Sequence, residues 1–376
     1  MLFKEIIGQD ETKRRLLQMV KDAKVGHALL FTGREGCGKL GLALAFARYL
    51  NCEDPGTDDS CMECSSCRKY SKLVHPDLHL VFPVVETKSS GADPVSDDFI
   101  SQWRDCVLGN PYLRLFQWYE YIGIEKKQGS ISRKESLQII RKLSFKNFEA
   151  DHKVMIIWMA EKMNLSAANK LLKVLEEPPP KTVFILIAED ASQIIPTILS
   201  RTQLIKIPGI DPESMGRAIR EKHGITGQGQ VEGLVRMAGG NYLRVMEAVN
   251  ETEENRFHFD MFVSLMRLCF AVDVVGILAW IDKMADRGRE RQKQFFQYAL
   301  RIIRGNFIQN IKAGNIDLLS EEERNFSDKF SSFVHSGNVF AIYNELNKAS
   351  EHIEYNGNSR LIFFDLSLRM AKLLKA

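Results

Sequence analysis

The sequence predicts an α/β domain on a parallel sheet, followed by a small helical domain and a C-terminal all-α domain. Two observations carry this. Over about the first two hundred residues, short β-like apolar runs alternate with helical stretches, the pattern of strands joined by crossover helices. After Pro208 and the Asp211-Pro212 pair the strand signals stop, and the remainder reads as helix up to Ala376. A length of 376 residues suits two or three folded units.

In chain order, the first strand is expected over His27 to Thr32, ahead of an Ala/Leu-rich helix from Leu40 to Leu50. A second strand is expected from Leu78 to Val85. The segment 86–130, with Ser89, Ser90, Gly91 and Pro94 early and several aromatics later, fits no crossover helix and reads as an insertion. Of its aromatics, Trp103, Tyr112, Phe116, Trp118 and Tyr119 are expected to make a local core, a stacking platform being the other reading. Strands at Val154 to Met159, Val183 to Ala188 and Leu204 to Ile207 complete the sheet. Between the first two of these lies a helix from Asn164 to Glu177, with Asn as N-cap and Pro178-Pro179-Pro180 as its stop. The α/β domain therefore takes 1–208. Residues 209–250, broken by Gly224, Gly227, Gly229 and Gly239-Gly240, form the small helical domain, and 251–376 the helical bundle, with amphipathic stretches at Gln292 to Lys312 and Leu361 to Leu374.

Composition narrows the function classes. With 45% hydrophobic and 26% charged residues the chain has ample core material, which excludes fibrous and disordered classes. Its 51 Lys+Arg against 48 Asp+Glu give +3, too balanced for binding nucleic acid by bulk charge. Between Ile124 and Lys153, eight Lys/Arg against four Asp/Glu make either a local DNA-facing surface or a solvated helix face. No apolar run approaches the ~20 residues of a bilayer span. The N-terminus, with Lys4, Glu5, Gln9 and Asp10, lacks a signal-peptide core, so a cytoplasmic protein is expected. Seven cysteines in a reducing compartment do not make a disulfide framework.

Two motifs carry chemistry. Gly33-Arg-Glu-Gly36-Cys-Gly38-Lys39-Leu40 sits between strand and helix and matches a phosphate-binding loop up to its last position. Its glycines let backbone N–H groups converge on an anion, and Lys39 adds a mobile charge. Where a Ser or Thr hydroxyl would ligate Mg²⁺ stands Leu40, and where a later strand would end in an acidic pair stand Trp158 and Met159, with Glu161 two or three positions late. Three departures on the same metal and water predict a loop that does not hydrolyse ATP. Separately, Cys52, Cys61, Cys64 and Cys67 place four thiols in a Gly/Pro/Asp-containing loop. Close C-x2-C steps suit tetrahedral Zn²⁺, and with four thiolates the site is closed and structural. Redox pairing is the rival. Cys106 and Cys269 are expected in the core, and Cys37 as an incidental loop thiol.

His27-Ala-Leu-Leu-Phe-Thr-Gly33 running into the phosphate loop, the four-cysteine insertion, His75-Pro76-Asp77, Ala167-Ala-Asn-Lys-Leu-Leu-Lys-Val-Leu-Glu-Glu-Pro178 and Ser200-Arg201-Thr202 together resemble the clamp-loader subunits of bacterial DNA polymerase III. The motifs cover about residues 1 to 208. The resemblance implies an AAA+-like fold with a lid domain and a C-terminal collar, and the losses at Leu40, Trp158 and Met159 look like the non-hydrolysing delta-prime branch. It also implies that Arg201 acts as an arginine finger in trans on ATP held by a neighbouring gamma/tau ATPase subunit, with Thr202 in place of the usual Cys. Read without the resemblance, Arg201 is a helix C-cap or a solvated charge. A γ-phosphate-sensing arginine is expected near Gly240 to Arg244, where this chain has Leu243. The implied partners are gamma/tau and delta subunits in a heteropentamer, the sliding clamp, and primer-template DNA through the complex; the implied cofactors are structural zinc and ATP at the neighbour's site. Two rivals stay open, an active ATPase of gamma/tau type and a zinc-dependent nucleic-acid-binding module.

Overall fold

The computed structural model describes residues 1–86, 93–123, 128–249, 253–311 and 321–375. Ser89, Ser90 and Gly91 of the insertion, the start of the basic run, Lys312 and Ala376 lie outside the described residues. Contacts divide the chain into two compact units. The first comprises Met1–Ile124, Gly129–Gly224 and Gly239–Leu243; the second contains Ile225–Ala238 and Arg244–Ala376. Within the span 209–250, the helix Pro212–His223 therefore belongs to the first unit and Gln228–Ala238 to the second.

In the first unit, β1 (Ala28–Thr32), β2 (Leu78–Val81), β3 (Lys153–Trp158), β4 (Thr182–Ala188) and β5 (Gln203–Lys206) form one sheet of order β2-β3-β4-β1-β5. Every pairing is parallel, with Phe31 opposite Ile187 and Ile205, and Ile156 opposite Ile185. The five strands fall where the apolar runs predict them, and β2 ends four residues sooner than expected. Because strand side chains alternate faces, β1, β3 and β4 feed two cores. Leu29, Phe31, Ile156, Trp158, Ile185 and Ile187 pack on the side of helix Lys39–Leu50. Leu30, Met155, Ile157, Phe184 and Leu186 pack on the side of helices Arg133–Ser144 and Leu165–Glu176.

Local chemistry explains the helices. All twelve residues of Lys39–Leu50 are buried, which is why that segment is Ala/Leu-rich rather than amphipathic. Leu165–Glu176 buries Ala167, Ala168, Leu171 and Leu175 at helical spacing, and Asn164 Oδ1 caps it by accepting from the Ala167 N–H at 2.8 Å. The basic stretch forms the amphipathic helix Arg133–Ser144, capped by Ser132, with Ile139 and Leu143 inward and Arg133, Lys134 and Arg141 exposed.

The insertion contributes helices Ile100–Gly109 and Leu115–Tyr121; Trp103, Tyr112, Phe116, Trp118 and Tyr119 are buried, but Trp103, Trp118 and Tyr119 join the sheet's own core instead of making a separate local one. Trp103 stacks on Phe82 with centroids 4.2 Å apart, meets Trp118 edge-on at 5.0 Å, and reaches Trp158 at the end of β3 at 4.9 Å.

Among its described residues the second unit has no strand. Its helices Glu253–Ala271, Val274–Ala285, Arg289–Asn310, Glu321–Phe330, Val339–Glu354 and Ser359–Leu373 enclose a core with Phe262, Trp280, Phe295, Phe296, Ile342, Leu346 and Phe363. Phe296 stacks on Phe363 at 5.2 Å, and the Trp280 indole N–H donates to the Met261 carbonyl at 2.9 Å. Among the described residues no helix is long and apolar enough to cross a membrane.

Candidate functional site

β1 delivers the chain into the phosphate loop, and the helix that begins at Lys39 leaves it. Gly36 and Gly38 take left-handed backbone, φ 68° and 92°, a conformation that β-carbon-bearing residues avoid. Gly36 is also crowded, since a β-carbon there would overlap Asn241 Oδ1. The Lys39 ammonium folds back into the loop and donates to the carbonyls of Gly33 at 2.6 Å and Arg34 at 2.7 Å. Gly33, Gly36, Gly38 and Lys39 are thus assembled into one loop. Cys37 inside it is fully buried, and burial pushes its thiol up.

The loop is fastened by residues that the sequence did not flag. Glu35 receives a two-pronged ion pair from Arg114 of the insertion, Nε to Oε2 and Nη2 to Oε1, each 3.0 Å. Asn241 Nδ2 donates to Glu35 Oε1 at 2.9 Å, and the Tyr242 N–H donates to the Gly36 carbonyl at 3.1 Å. Glu35 could have been noticed as a carboxylate inside a phosphate-binding motif. Arg114, 79 residues away, carries no sequence signal; Asn241, 206 residues away, lies in the Gly240 to Arg244 stretch where a γ-phosphate-sensing arginine is expected, but was not itself singled out.

The positions where the sequence lacks the expected metal-binding groups are taken up by packing. Leu40 is 4% exposed and belongs to the core. Trp158 closes β3 against Trp103, and Met159, also buried, turns the chain with φ 56°. Glu161 lies on a short turn beyond, where its Oε1 accepts the Glu189 N–H at 3.0 Å; burial pushes its carboxyl up. Leu243 is buried as well.

The four cysteines converge. Cys52 follows the phosphate-loop helix, and Cys64 caps helix Ser65–Ser71 by accepting the Cys67 N–H at 3.3 Å. The Cys61 N–H donates to Cys52 Sγ at 3.2 Å and the Cys64 N–H to Cys61 Sγ at 3.4 Å. All four sulfurs lie within 4.8 Å of one another, with Cys67 3.5 Å from Cys52 and 3.9 Å from Cys61. A tetrahedron with Zn–S of about 2.3 Å has edges of about 3.8 Å, so the thiols present fit that ion. The Cys64 N–H brings the Cys61 thiol down to about 7, while burial pushes Cys52 up to about 12. Among the described residues this is the one cluster able to hold a metal. His75 stays outside it: Nδ1 accepts the Asp77 N–H at 3.1 Å and Nε2 faces Glu149 at 3.3 Å. Asp77 in turn accepts the N–H groups of Phe148, Glu149 and Ala150 at 2.7 to 2.9 Å, fixing the turn before β3.

Arg201 follows helix Pro196–Leu199 and is partly exposed. Its Nη1 donates to the Thr197 carbonyl at 2.7 Å and to Ser200 Oγ at 3.2 Å, and its Nη2 pairs with Glu176, the last residue of helix Leu165–Glu176. Glu176 is a second partner that the sequence did not single out.

A family model described as "DNA polymerase III, delta subunit" matches residues 8–211. The chain is 28% identical over 207 residues to DNA polymerase III subunit delta-prime of Bacillus subtilis (strain 168), covering 55% of this chain and 50% of that protein. It is 29% identical over 225 residues to the delta-prime subunit of Pseudomonas aeruginosa, covering 59% and 55%. With the tau subunit of B. subtilis it shares 27% over 201 residues, covering 54% of this chain and 28% of that one. The matches thus span about half the length of the delta-prime relatives.

Proposed function

Because the chain belongs to the DNA polymerase III delta subunit family of clamp-loader proteins, we propose that it is a non-hydrolysing, delta-prime-type subunit that lends Arg201 in trans to a neighbouring ATPase. The observation that carries this reading is the pairing of two facts. The loop's own metal positions are filled by Leu40, Trp158 and Met159, packed into cores, while an arginine stands partly exposed beyond helix Pro196–Leu199. With no oxygen at Leu40 and no carboxylate at Trp158 or Met159, the positions that would hold Mg²⁺ and orient water beside a γ-phosphate carry no ligand. Arg201 offers what a neighbour needs, a planar, permanently charged fork that matches phosphate oxygens. ATP then belongs to the gamma/tau neighbour's site, and the chain is an accessory subunit rather than an enzyme.

Cys52, Cys61, Cys64 and Cys67 would hold Zn²⁺ in a closed site that supplies folding free energy and no reaction chemistry. In this reading the chain works in three parts, 1–208 with Arg201, 209–250 as a lid, and 251–376 as a collar that joins gamma/tau and delta subunits into a heteropentamer. Opening the sliding clamp and placing it on primed DNA belong to that cytoplasmic complex.

The test is a complex reconstituted from this chain, its ATPase subunits and delta. Arg201→Ala should leave assembly intact by size exclusion and lower DNA-stimulated hydrolysis at the adjoining site about a thousandfold or more. The chain alone with Mg-ATP should turn nothing over. Undiminished hydrolysis in an intact Arg201→Ala complex, or turnover by the isolated chain, overturns the reading.

A further inference from the structure

The turn Pro111–Arg114 of the insertion closes on the phosphate loop. Asn110 braces the turn with two bonds to Tyr112, Nδ2 to its carbonyl at 2.7 Å and Oδ1 from its N–H at 3.0 Å. So held, Tyr112 is 5% exposed, and its hydroxyl oxygen accepts the N–H of Ile7 at 2.9 Å. A β-carbon at Gly38 would lie 3.4 Å from the Tyr112 ring, and one at Gly41 would lie 3.8 Å from Pro111. The Tyr242 ring meets Tyr112 edge-on with centroids 5.0 Å apart, and the Lys222 ammonium lies 5.9 and 5.6 Å from the two rings. An aromatic ring therefore lies against the glycine that precedes the phosphate-binding lysine, with an aromatic neighbour and a main-chain donor at its edge. A nucleoside base needs the same surroundings when its phosphates lie in such a loop.

We propose that the insertion is a built-in occupant of this site: Tyr112 fills the base position, and Arg114, through Glu35 and Asn241, holds the loop shut. The chain then takes up a purine nucleoside triphosphate only when the Pro111–Arg114 turn is displaced. The loop is consistent with this, because the carbonyls of Gly33 and Arg34 face the Lys39 ammonium, and Glu35 is held at the loop by Arg114 and Asn241. An incoming phosphate must first draw the Lys39 ammonium away from those carbonyls, at the cost of the hydrogen bonds they make. The inference does not depend on what Arg201 does, since it concerns the chain's own loop.

The full chain titrated with a fluorescent N-methylanthraniloyl-ATP tests it. Wild type and Tyr112→Phe, which keeps the ring, should show no saturable binding up to about 1 mM. Tyr112→Ala should gain at least about tenfold in affinity and lose the gain when Lys39→Ala is added, and adenosine alone should raise the melting temperature of Tyr112→Ala but not of wild type. Arg114→Gln, which frees the turn without emptying the cavity, should gain as well and serves if Tyr112→Ala does not fold. Wild-type binding as tight as that of the opened variants, or no gain in a variant with wild-type circular dichroism, overturns the proposal.

Discussion

Arg201 is not idle in the isolated chain. Both terminal nitrogens of its guanidinium are engaged, Nη1 by the Thr197 carbonyl and Ser200 Oγ, Nη2 by Glu176. An arginine that grips a phosphate in trans has to give up the Glu176 carboxylate first, because a second anion at the fork competes with the phosphate for the same donors. The pair is half-exposed, so its hold is weak, about 0 to 1 kcal/mol. Glu176→Gln should therefore leave the melting temperature unchanged and raise hydrolysis in the reconstituted complex by up to about fivefold. Measured beside Arg201→Ala, a fall in rate instead would make Glu176 an orienting group that stays in contact with Arg201. The family resemblance singles out Arg201 through Ser200-Arg201-Thr202, whereas Glu176 is one of two adjacent glutamates ahead of the prolines. Which of them meets Arg201 depends on where helix Leu165–Glu176 ends in space.

At the scale of elements, the strands, the Asn164 cap and the cysteine cluster were all legible because each rests on residues close in sequence. Backbone N–H groups of Cys61, Cys64 and Cys67 point at sulfur, so local turn geometry gathers the thiols before any distant element is needed. Replacing Cys61 and Cys64 with Ser should abolish one equivalent of bound zinc and cost at least about 2 kcal/mol of stability, read by metal analysis and denaturant midpoint. Affinity for DNA should not follow the zinc; its loss in a folded double variant would favour the nucleic-acid-binding alternative. The helices of the insertion were not legible. Their cores are made with partners from elsewhere, Trp103 with Phe82 and Trp158, and Trp118 through its indole N–H to the Pro83 carbonyl at 2.9 Å. An apolar pattern that packs on distant strands shows no period of its own.

Stability against pH belongs to the molecule as a whole. Burial holds His75, His79 and His152 below the usual histidine value, with Lys142 and Lys153 adding to the effect at His79, which falls to about 4. In the unfolded chain these rings take up protons near pH 6.5, so the folded state binds fewer protons between about 6.5 and 4. Their contribution is complete above that window and is lost as pH falls through it. Glu135 and Glu161, pushed up by burial, act in the opposite sense, and Asp77, which its three N–H donors hold low against burial, matters only in stronger acid. Glu189, pushed up to about 7 by burial, opposes the histidines over the same range, so the test is the variant against wild type: His79→Gln should raise the urea midpoint at pH 4.5 relative to that at pH 6.5, and an unchanged slope would remove His79 as a cause. The sequence by itself determined the sheet's strands, the phosphate-loop frame, the four converging thiols and the apolar residues at Leu40, Trp158 and Met159. Each of these is written in residue type and short-range spacing, where backbone geometry leaves few alternatives. Only the tertiary structure decided that Tyr112 and Arg114 close on the loop, that Asn241 reaches Glu35, and that Glu176 holds Arg201. Those contacts join residues 25 to 206 positions apart, and a packed core, not local periodicity, brings them together.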